Sequence, residues 1–582
     1  MTFTIEKNQF LKDGKPIKLI SGAVHYFRNM PDTWEDIFQK MRAMGCNCVE
    51  TYCAWNMHEK QPGVYDFTGN LDLVRFIETA AKVGLMVIVR PGPYICAEWE
   101  FGGLPWWILT KENMQIRCMN PTYIQHFDQY LDQICDRVRP LLCTNGGPVI
   151  MMQCENEYGY YGDDKEYLAY LREGFIRRGI DVPLFTSDGT RLCDLLDGTI
   201  EGCLPTLNFG SKVEERFEIH DQLYPDVPKV CMEMWNGWFD AWGDKEHHTT
   251  PVDEYAQTVD DMLTRGHLNM YMFIGGTNFG FTSGANHFEA PGTYLPDVTS
   301  YDYDAMLTEC GDITPKYLAI REVIQKHVKE ELPEIPANRP KKAYGDVALT
   351  DKVGIFSSLD VLSSPIFSNT PQCMESYGQG YGFIAYQSTL NRDYDNVPLQ
   401  FESLGDRAQI YINKDLVDIL YVNDPELKTM ITAKAGDTLT ILCENMGRAN
   451  FGPRMMRKKG IAGLMVLDLK LHFNWNVYPL PMNNLDKLVY TDSEVAEKSC
   501  FYRGYFDVQG TADTFLRLDN FSKGFVTING FNIGRYWEIG PQKTLYVPAS
   551  ILKEGKNKII VFESDGIKGD AVVTFVDRPE LG

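Results

Sequence analysis

The sequence predicts an α/β protein: an N-terminal (β/α)8 barrel followed by two β-sandwich domains. From residue 17 to about 325, strand-like apolar runs alternate with amphipathic helical runs, a pattern typical of parallel strands joined by helical crossovers. Beyond about residue 330 the helical pattern stops, and short alternating runs are broken by Gly, Asn and Asp. A chain of 582 residues is also too long to fold around a single hydrophobic core.

Eight strand and helix pairs can be assigned in the first part of the chain. The predicted strands are Lys18 to His25, Cys46 to Tyr52, Leu85 to Pro91, Pro148 to Cys154, Pro183 to Ser187, Ile200 to Phe209, Lys229 to Glu233 and Leu268 to Ile274. Asp32, with Glu35 three residues later, predicts the start of the first helix, and Gly45 its end. Asn70 and Gly84 bracket the second helix similarly. In such a barrel, catalytic groups lie at the carboxyl ends of the strands.

The C-terminal part is predicted to be all β. Its readable strands are YGFIAYQSTL, AQIYINKDLVDILYV, DTLTILCEN, GLMVLDLKL, KGFVTINGFNIGRYW and KTLYVPA, and their regular spacing favours sandwiches. The proline-rich, charged segment ELPEIPANRPKKAYGD separates them from the barrel. We therefore predict a barrel over residues 1–325, a connecting segment over 326–370, a first all-β domain over 371–480 and a second over 481–582.

Charge and composition exclude several classes of partner. The net charge of −23 and the pI near 4.9 would repel phosphate backbones and anionic bilayers, so we expect neither nucleic acid nor membrane partners. The start of the chain has no long apolar run behind a basic segment. Fifteen cysteines without a CxxC pair are interpreted as buried free thiols, which suits a reducing cytoplasm.

No metal site is predicted. His247 and His248 are neighbours in a polar loop, so their side chains should diverge, and no Cys or carboxylate is spaced to complete a tetrahedral site. We expect both histidines to face solvent. No cofactor is expected either.

Two stretches carry carboxylates in a setting that suits the cleavage of a glycosidic bond. They are GPVIMMQCENEYG and VPKVCMEMWNGWFDAWG, and each ends an apolar strand-like run on a Glu beside amide and aromatic residues. Metal-independent glycoside cleavage needs one carboxylic acid to protonate the leaving oxygen and one carboxylate to attack or stabilise the sugar. In the first stretch Glu155 and Glu157 share strand parity, so periodicity leaves both open. The amide of Asn156 could hold a sugar 2-hydroxyl.

The second stretch places Glu233 before three tryptophans, Trp235, Trp238 and Trp242. Indole faces suit the C–H patches of a sugar ring, so this cluster indicates carbohydrate. Trp242 fits equally well as a core residue.

The chain from Leu19 to about Lys316 resembles glycoside hydrolase family 35, the β-galactosidases. The motifs that carry the resemblance are SGAVHYFR, ETYCAWNMHE, VRPGPYICAEWEFGGLPWWI, QCENEYG, MYMFIGGTNFG and SYDYDA. It continues through YGQGYGFIAY, ENMGRANFGP and GFNIGRYWEIGPQKTLYVP, where the family carries jelly-roll and galactose-binding-like domains.

The resemblance implies roles for individual residues. Glu157 would be the acid/base and Glu233 the nucleophile of a retaining double displacement, with their carboxyl groups roughly 5 to 5.5 Å apart. The residues expected to line the galactose subsite are Tyr52, Ala97, Glu98, Asn156 and Tyr303. Those expected on the aglycone side are Trp235, Trp238 and Phe451, the last on a tail loop that folds back over the barrel mouth.

The expected protein is a cytoplasmic exo-β-galactosidase that removes terminal non-reducing β-galactose from oligosaccharides with retention. Similar bacterial enzymes favour β1,3 linkages, and the family is compatible with a homodimer. Two alternatives stay open at this point. One is a family member for another β-linked sugar, such as an exo-β-glucosaminidase, because a fold does not fix the sugar. The other is a galactose-binding protein without turnover.

Overall fold

A closed barrel of eight parallel strands forms the N-terminal part of the computed structural model, which describes residues 1–288, 290, 292–490 and 497–582. Three short antiparallel strands precede it: β1 Phe3–Glu6, β2 Gln9–Lys12 and β3 Lys15–Ile17. The barrel strands are β4 Ile20–Val24, β5 Cys48–Tyr52, β6 Met86–Arg90, β7 Val149–Gln153, β8 Leu184–Asp188, β9 Leu204–Asn208, β10 Val230–Trp235 and β11 His267–Ile274. All eight predicted strands are confirmed, because continuous apolar runs suit strands that are covered on both faces.

The helices alternate with these strands. They are α1 Trp34–Met44, α2 Trp55–His58, α3 Leu73–Val83, α4 Pro121–Val138, α5 Lys165–Arg177, α6 Leu192–Gly198, α7 Val213–Leu223, α8 Val252–Arg265, α9 Pro315–His327 and, beyond the barrel, α10 Leu359–Leu362. Gly45 and Gly84 end α1 and α3 in the left-handed conformation, as predicted. The predicted starts are wrong by one and two residues, since Thr33 rather than Asp32 precedes α1 and Asn70 lies in a short 3-10 turn before α3. Asp72 caps α3 instead.

The remaining strands lie in antiparallel sheets, apart from the parallel pairing of β12 with β24. Those nearest the barrel and in the predicted connection are β12 Ala285–His287, β13 Tyr294–Pro296, β14 Gly345–Ala348, β15 Asp351–Gly354 and β16 Ile366–Ser368. Next come β17 Phe383–Thr389, β18 Tyr394–Phe401, β19 Leu404–Gly405, β20 Arg407–Ile412, β21 Asp415–Tyr421, β22 Lys428–Ala433, β23 Thr438–Glu444, β24 Ala449–Phe451, β25 Gly460–Ile461, β26 Met465–Leu467, β27 Lys470–Leu471 and β28 Trp475–Leu480. The last are β29 Cys500–Val508, β30 Thr514–Arg517, β31 Lys523–Ile528, β32 Phe531–Trp537, β33 Thr544–Val547, β34 Gly555–Glu563 and β35 Val572–Val576.

Two β-sandwiches follow the barrel, as the sequence predicts. In the first, the sheet β16-β28-β17-β23-β20-β21 shares a core with the sheet β22-β18-β26-β27 through residues such as Ile410 and Leu399. In the second, β15-β29-β34-β31-β32 packs on β14-β35-β30-β33, with Val561 and Phe575 in the shared core.

The segment over residues 326–370 is more than a connection. Strand β14 pairs with β35 and β15 pairs with β29, so the chain adds to the last sandwich before it builds the first one. Strand β16 then joins the first sandwich through β28. The pairing partners lie more than a hundred residues away, which local patterns do not reveal. The boundaries we predict for the individual domains stay predictions.

All fifteen cysteines lie in the described part of the chain and are free thiols. Cys193 is exposed and Cys118 is half-buried, whereas the others are buried. Among the described residues, we find no helix with the length and apolar character needed to cross a membrane.

A buried ion-pair cluster ties the barrel to the first sandwich. Arg448, in the loop before β24, is fully buried and donates to Glu100 Oε1 at 2.6 Å and to Glu375 Oε1 at 2.5 Å. Glu100 follows barrel strand β6, and Glu375 lies in the chain that enters the first sandwich. One cation thus neutralises two buried carboxylates from opposite sides of the contact.

Replacing Arg448 with Met should lower the free energy of unfolding by about 3–5 kcal/mol, because two carboxylates would be left buried without their cation. Urea unfolding followed by tryptophan fluorescence measures this loss. The matched control is Arg392→Met, whose pair with Asp468 is exposed and should cost less than about 1 kcal/mol. Equal losses in the two variants would contradict the role of the cluster.

Candidate active site

The carboxyl ends of the barrel strands surround a cavity of about 480 Å³. Eight of the ten predicted site residues line it: Ala97, Glu98, Glu157, Glu233, Trp235, Trp238, Tyr303 and Phe451. The other two, Tyr52 and Asn156, are buried and lie within hydrogen-bond distance of one another, and Tyr52 also reaches Glu233. The structure therefore brings all ten together.

Glu233, on β10, is surrounded by hydrogen-bond donors. Its Oε1 accepts from Arg90 Nη2 at 2.7 Å and lies 2.6 Å from the hydroxyl of Tyr52. Its Oε2 accepts from the indole N–H of Trp235 at 3.2 Å. Donors of this kind, one of them a buried cation, stabilise the anionic carboxylate and fix its direction.

Arg90, at the end of β6, is a site residue that sequence reasoning missed. Besides Glu233, its Nη2 donates to Asn156 Oδ1 at 2.8 Å, and its Nε bonds to Gln153. Its guanidinium lies 4.0 Å from the centre of the Tyr52 ring. The available signal was a charged residue at the end of an otherwise apolar predicted strand. Asn208, at the end of β9, was also missed, and its available signal was a polar residue at the end of a predicted strand.

Glu155 and Glu157 have different surroundings, although their strand parity is the same. Glu155 is buried in a two-point ion pair with Arg117, at 3.0 and 2.8 Å, and accepts from Tyr167 at 2.9 Å. Glu157 lines the cavity, and its Oε1 accepts from Asn208 Nδ2 at 2.9 Å.

The parity argument fails because β7 ends at Gln153. Glu155 and Glu157 then adopt left-handed backbone conformations with φ of 58° and 47°. Side chains no longer alternate there as they do in a strand.

The protonation of Glu157 follows from its position. Burial raises the pKa of its carboxyl to about 8, and the negative charge of Glu233 acts in the same direction. The hydrogen bond from Asn208 and the charge of Arg90 lower this pKa, but less strongly. At neutral pH the cavity therefore holds a protonated Glu157 beside a carboxylate that Arg90 stabilises, which is the arrangement that glycoside cleavage requires.

Glu98 is a further carboxyl group in the cavity lining. Its Oε2 accepts from the hydroxyl of Tyr301 at 2.5 Å, and burial raises its pKa to about 7 against the opposing effects of Tyr301 and Arg28. Arg28 also donates to the carbonyl of Ala97 at 2.5 Å, which holds this left-handed stretch of backbone in place. Tyr301, beside Glu98, was not predicted.

Aromatic residues form much of the remaining cavity lining. Trp235 and Trp238 meet edge to face with ring centres 5.5 Å apart, and Tyr303 packs against Tyr271, a further residue that sequence reasoning missed. Between the two tryptophans, a Cβ on Gly237 would lie 2.0 Å from the carbonyl oxygen of Tyr303. Glycine therefore allows these two loops to approach each other.

The tail completes the cavity, because β24 pairs with β12 at the barrel mouth. This pairing carries Phe451 to the cavity, where its ring lies 6.4 Å from both Tyr160 and Phe288. The predicted position of the tail loop over the mouth is therefore observed. Trp242 is buried.

The expectation that His247 faces solvent is wrong. Its Nδ1 lies 2.6 Å from Asp240, and its Nε2 lies 3.3 Å from Asp302. Despite burial, hydrogen bonds and charge from these two carboxylates raise the pKa of His247 to about 10, so the imidazolium links the Trp238 loop to the Tyr303 loop. His248 is about half exposed.

Asp240, Asp244 and His248 place potential metal ligands within 4.8 Å of one another, although the sequence suggested no such group. His248 already bonds to Asp240 at 2.8 Å, and Asp244 accepts the backbone N–H of Ala241. Hydrogen bonds within the loop therefore account for this cluster.

Comparisons with known proteins agree with this geometry. Residues 9–327 match the model of glycosyl hydrolases family 35. Residues 371–481 match the first all-beta domain of beta-galactosidase, and residues 499–557 match its galactose-binding domain.

Three relatives named beta-galactosidase extend over nearly the whole chain. The protein from Bos taurus is 41% identical and aligns with 99% of this chain and 94% of its own. The one from Xanthomonas manihotis is 40% identical over 94% of this chain and 92% of its own. The one from Homo sapiens is 39% identical over 99% of this chain and 90% of its own. Because the family model matches the barrel and these relatives align with nearly the whole chain, the chain belongs to glycosyl hydrolases family 35.

Proposed function

We propose that this protein is an exo-β-galactosidase that removes terminal non-reducing β-galactose from oligosaccharides with retention of configuration. The observation that carries the proposal is the pair of unequal carboxyl groups in one cavity: burial keeps Glu157 protonated at neutral pH, whereas Glu233 accepts a hydrogen bond from the buried guanidinium of Arg90. The names of relatives about 40% identical over nearly the full chain support galactose as the sugar.

The first step transfers the sugar to Glu233. A carboxylate oxygen of Glu233 attacks the anomeric carbon while the bond from that carbon to the glycosidic oxygen breaks. The proton of Glu157 moves to that oxygen, and the rest of the substrate leaves as an alcohol. Asn156 directs its Oδ1 towards Tyr52 and Arg90, so its Nδ2 is the group available to a sugar 2-hydroxyl.

The second step releases galactose. Glu157, now a carboxylate, takes a proton from water as the water oxygen attacks the anomeric carbon. The bond to Glu233 breaks, and Arg90 and Tyr52 again stabilise the carboxylate that forms. Two inversions give β-galactose as the first product.

The cavity walls support removal of a terminal sugar. Glu98, Tyr303 and Ala97 line the cavity together with Phe451, which comes from the tail. A cavity with these walls fits the terminal sugar of an oligosaccharide better than a sugar in the middle of the oligosaccharide. In this proposal, Glu98 is the group that recognises the hydroxyl groups of galactose.

The proposal extends to linkage, assembly and location. A preference for β1,3 linkages follows from the resemblance to bacterial members of the family, and the same resemblance allows a homodimer. The free thiols support a reducing cytoplasm as the location. There, short imported glycans would be the substrates, and the enzyme would serve carbohydrate breakdown.

Nitrophenyl β-galactoside should be the best substrate in a panel with the β-glucoside, β-glucosaminide and β-fucoside, and NMR should show β-galactose first. Glu233→Gln should lower kcat about a thousandfold or more, because the nucleophile is lost. Glu218→Gln changes an exposed carboxyl and should leave kcat unchanged. Preference for the glucosaminide would favour an exo-β-glucosaminidase, and galactose binding without turnover would favour a binding protein.

The pH profile should report Glu157. Because its raised pKa keeps the acid protonated at neutral pH, kcat/KM should fall as pH rises through about 8. Glu157→Gln should lose this alkaline limb and should impair substrates with poor leaving groups far more than dinitrophenyl galactoside. An unchanged alkaline limb in this variant would assign the proton to another group.

A further inference from the structure

A second cavity lies directly beside the active-site cavity. Its volume is about 480 Å³, and it shares Tyr160, Trp235 and Trp238 with the first. Trp238 is 40% exposed, so its indole is accessible at the boundary. A ligand that leaves the first cavity past these rings would enter the second.

The second cavity lies on the leaving-group side of the reaction. Asn208 lines it and also donates to Glu157, the residue that protonates the glycosidic oxygen. Glu98 lines the first cavity and is not among the residues that line the second. The second cavity, whose lining residue Asn208 contacts Glu157, therefore lies away from the galactose and on the side of the aglycone.

The two cavities differ in chemistry. Aromatic rings dominate the first, whereas the second is rich in hydrogen-bonding side chains: Thr190, Asn208, Ser211, Arg216, Thr250 and Glu254. Backbone at Gly210 and Gly237 completes it. Side chains that donate and accept, beside an aromatic boundary, are typical of a sugar site.

Arg216, near the start of α7, supplies a donor that the protein leaves unused. Its Nη1 reaches the hydroxyl of Thr190 at 3.3 Å, whereas its Nη2 makes no hydrogen bond within the described part of the chain and is not buried. Over the same residues it forms no ion pair within 4.0 Å. Because Arg216 lines the second cavity, its Nη2 is available to donate to a ligand oxygen there.

We propose that the second cavity binds the second sugar of the aglycone, counted from the bond that is cleaved, and that this sugar is neutral. Glu254 lies in the same cavity as Arg216, so an acceptor and a donor are available to hydroxyl groups, and the two opposite charges in the lining offset each other, which suits a neutral sugar. The inference rests on the proposed function and deepens it. It makes a galactose-terminated trisaccharide a better substrate than the matching disaccharide.

The test compares nitrophenyl β-galactoside, galactosyl-β1,3-N-acetylglucosamine and the trisaccharide that extends this disaccharide by a neutral hexose. We expect kcat/KM to be about tenfold higher for the trisaccharide than for the disaccharide, about 1.4 kcal/mol. In Arg216→Met and, separately, in Glu254→Gln, the kcat/KM values for the trisaccharide and the disaccharide should come to within twofold of each other. The kcat/KM value for nitrophenyl β-galactoside should stay unchanged in both variants. Lys212→Met, at the exposed start of the same helix, is the control and should keep the tenfold ratio.

Calorimetry on Glu233→Gln separates this inference from the proposed function. The trisaccharide should bind about tenfold more tightly than the disaccharide, and Arg216→Met in that background should remove the difference. Hydrolysis by wild type with equal dissociation constants would overturn the second sugar site and keep the function. Tighter trisaccharide binding without hydrolysis would overturn the function and keep the site. Tighter binding of a trisaccharide that ends in a carboxylic acid would overturn the assignment to a neutral sugar.

Discussion

The buried guanidinium of Arg90 is the interaction on which the site depends. It lies fully inside the barrel and contacts groups from several strands: Gln153 from β7, Asn156 just beyond it and Glu233 from β10. A buried cation is costly unless it is paired and hydrogen bonded, so these partners must stay in register. Closing the barrel is what places them around one point, and the same contacts that satisfy Arg90 orient the nucleophile.

The asymmetric position of Arg90 also explains how two identical side chains take opposite roles. Glu233 receives its direct hydrogen bond, whereas Glu157 has the neutral amide of Asn208 as its partner. Burial and the nearby anion then raise the pKa of Glu157 to about 8. If the guanidinium lay closer to Glu157, it would favour the anionic form of both carboxyl groups. The protein would then lack the acid that protonates the leaving oxygen. Burial of Glu157 and the direct contact of Arg90 with Glu233 therefore together separate the acid from the nucleophile.

Sequence reasoning recovers what local patterns encode. The eight barrel strands are continuous apolar runs, and Gly45 ends its helix because glycine readily adopts the left-handed conformation. It fails where long-range contacts decide the outcome. Strand parity could not separate Glu155 from Glu157, because the strand ends at Gln153. The ion pair that buries Glu155 comes from Arg117, 38 residues away in the sequence. Arg90 gave only a weak local signal, since its partners come from other strands.

The return of the tail to the barrel mouth has a consequence for specificity. The chemical groups on Glu157 and Glu233 come from the barrel, whereas Phe451 arrives on β24, which pairs with β12. The Arg448 cluster anchors the same loop to the barrel a few residues earlier. The outer wall of the cavity is thus built by two parts of the chain whose relative position is fixed by buried charges. Changes in that contact would reshape the mouth of the cavity around Phe451, whereas Glu157 and Glu233 would keep the positions that the barrel gives them.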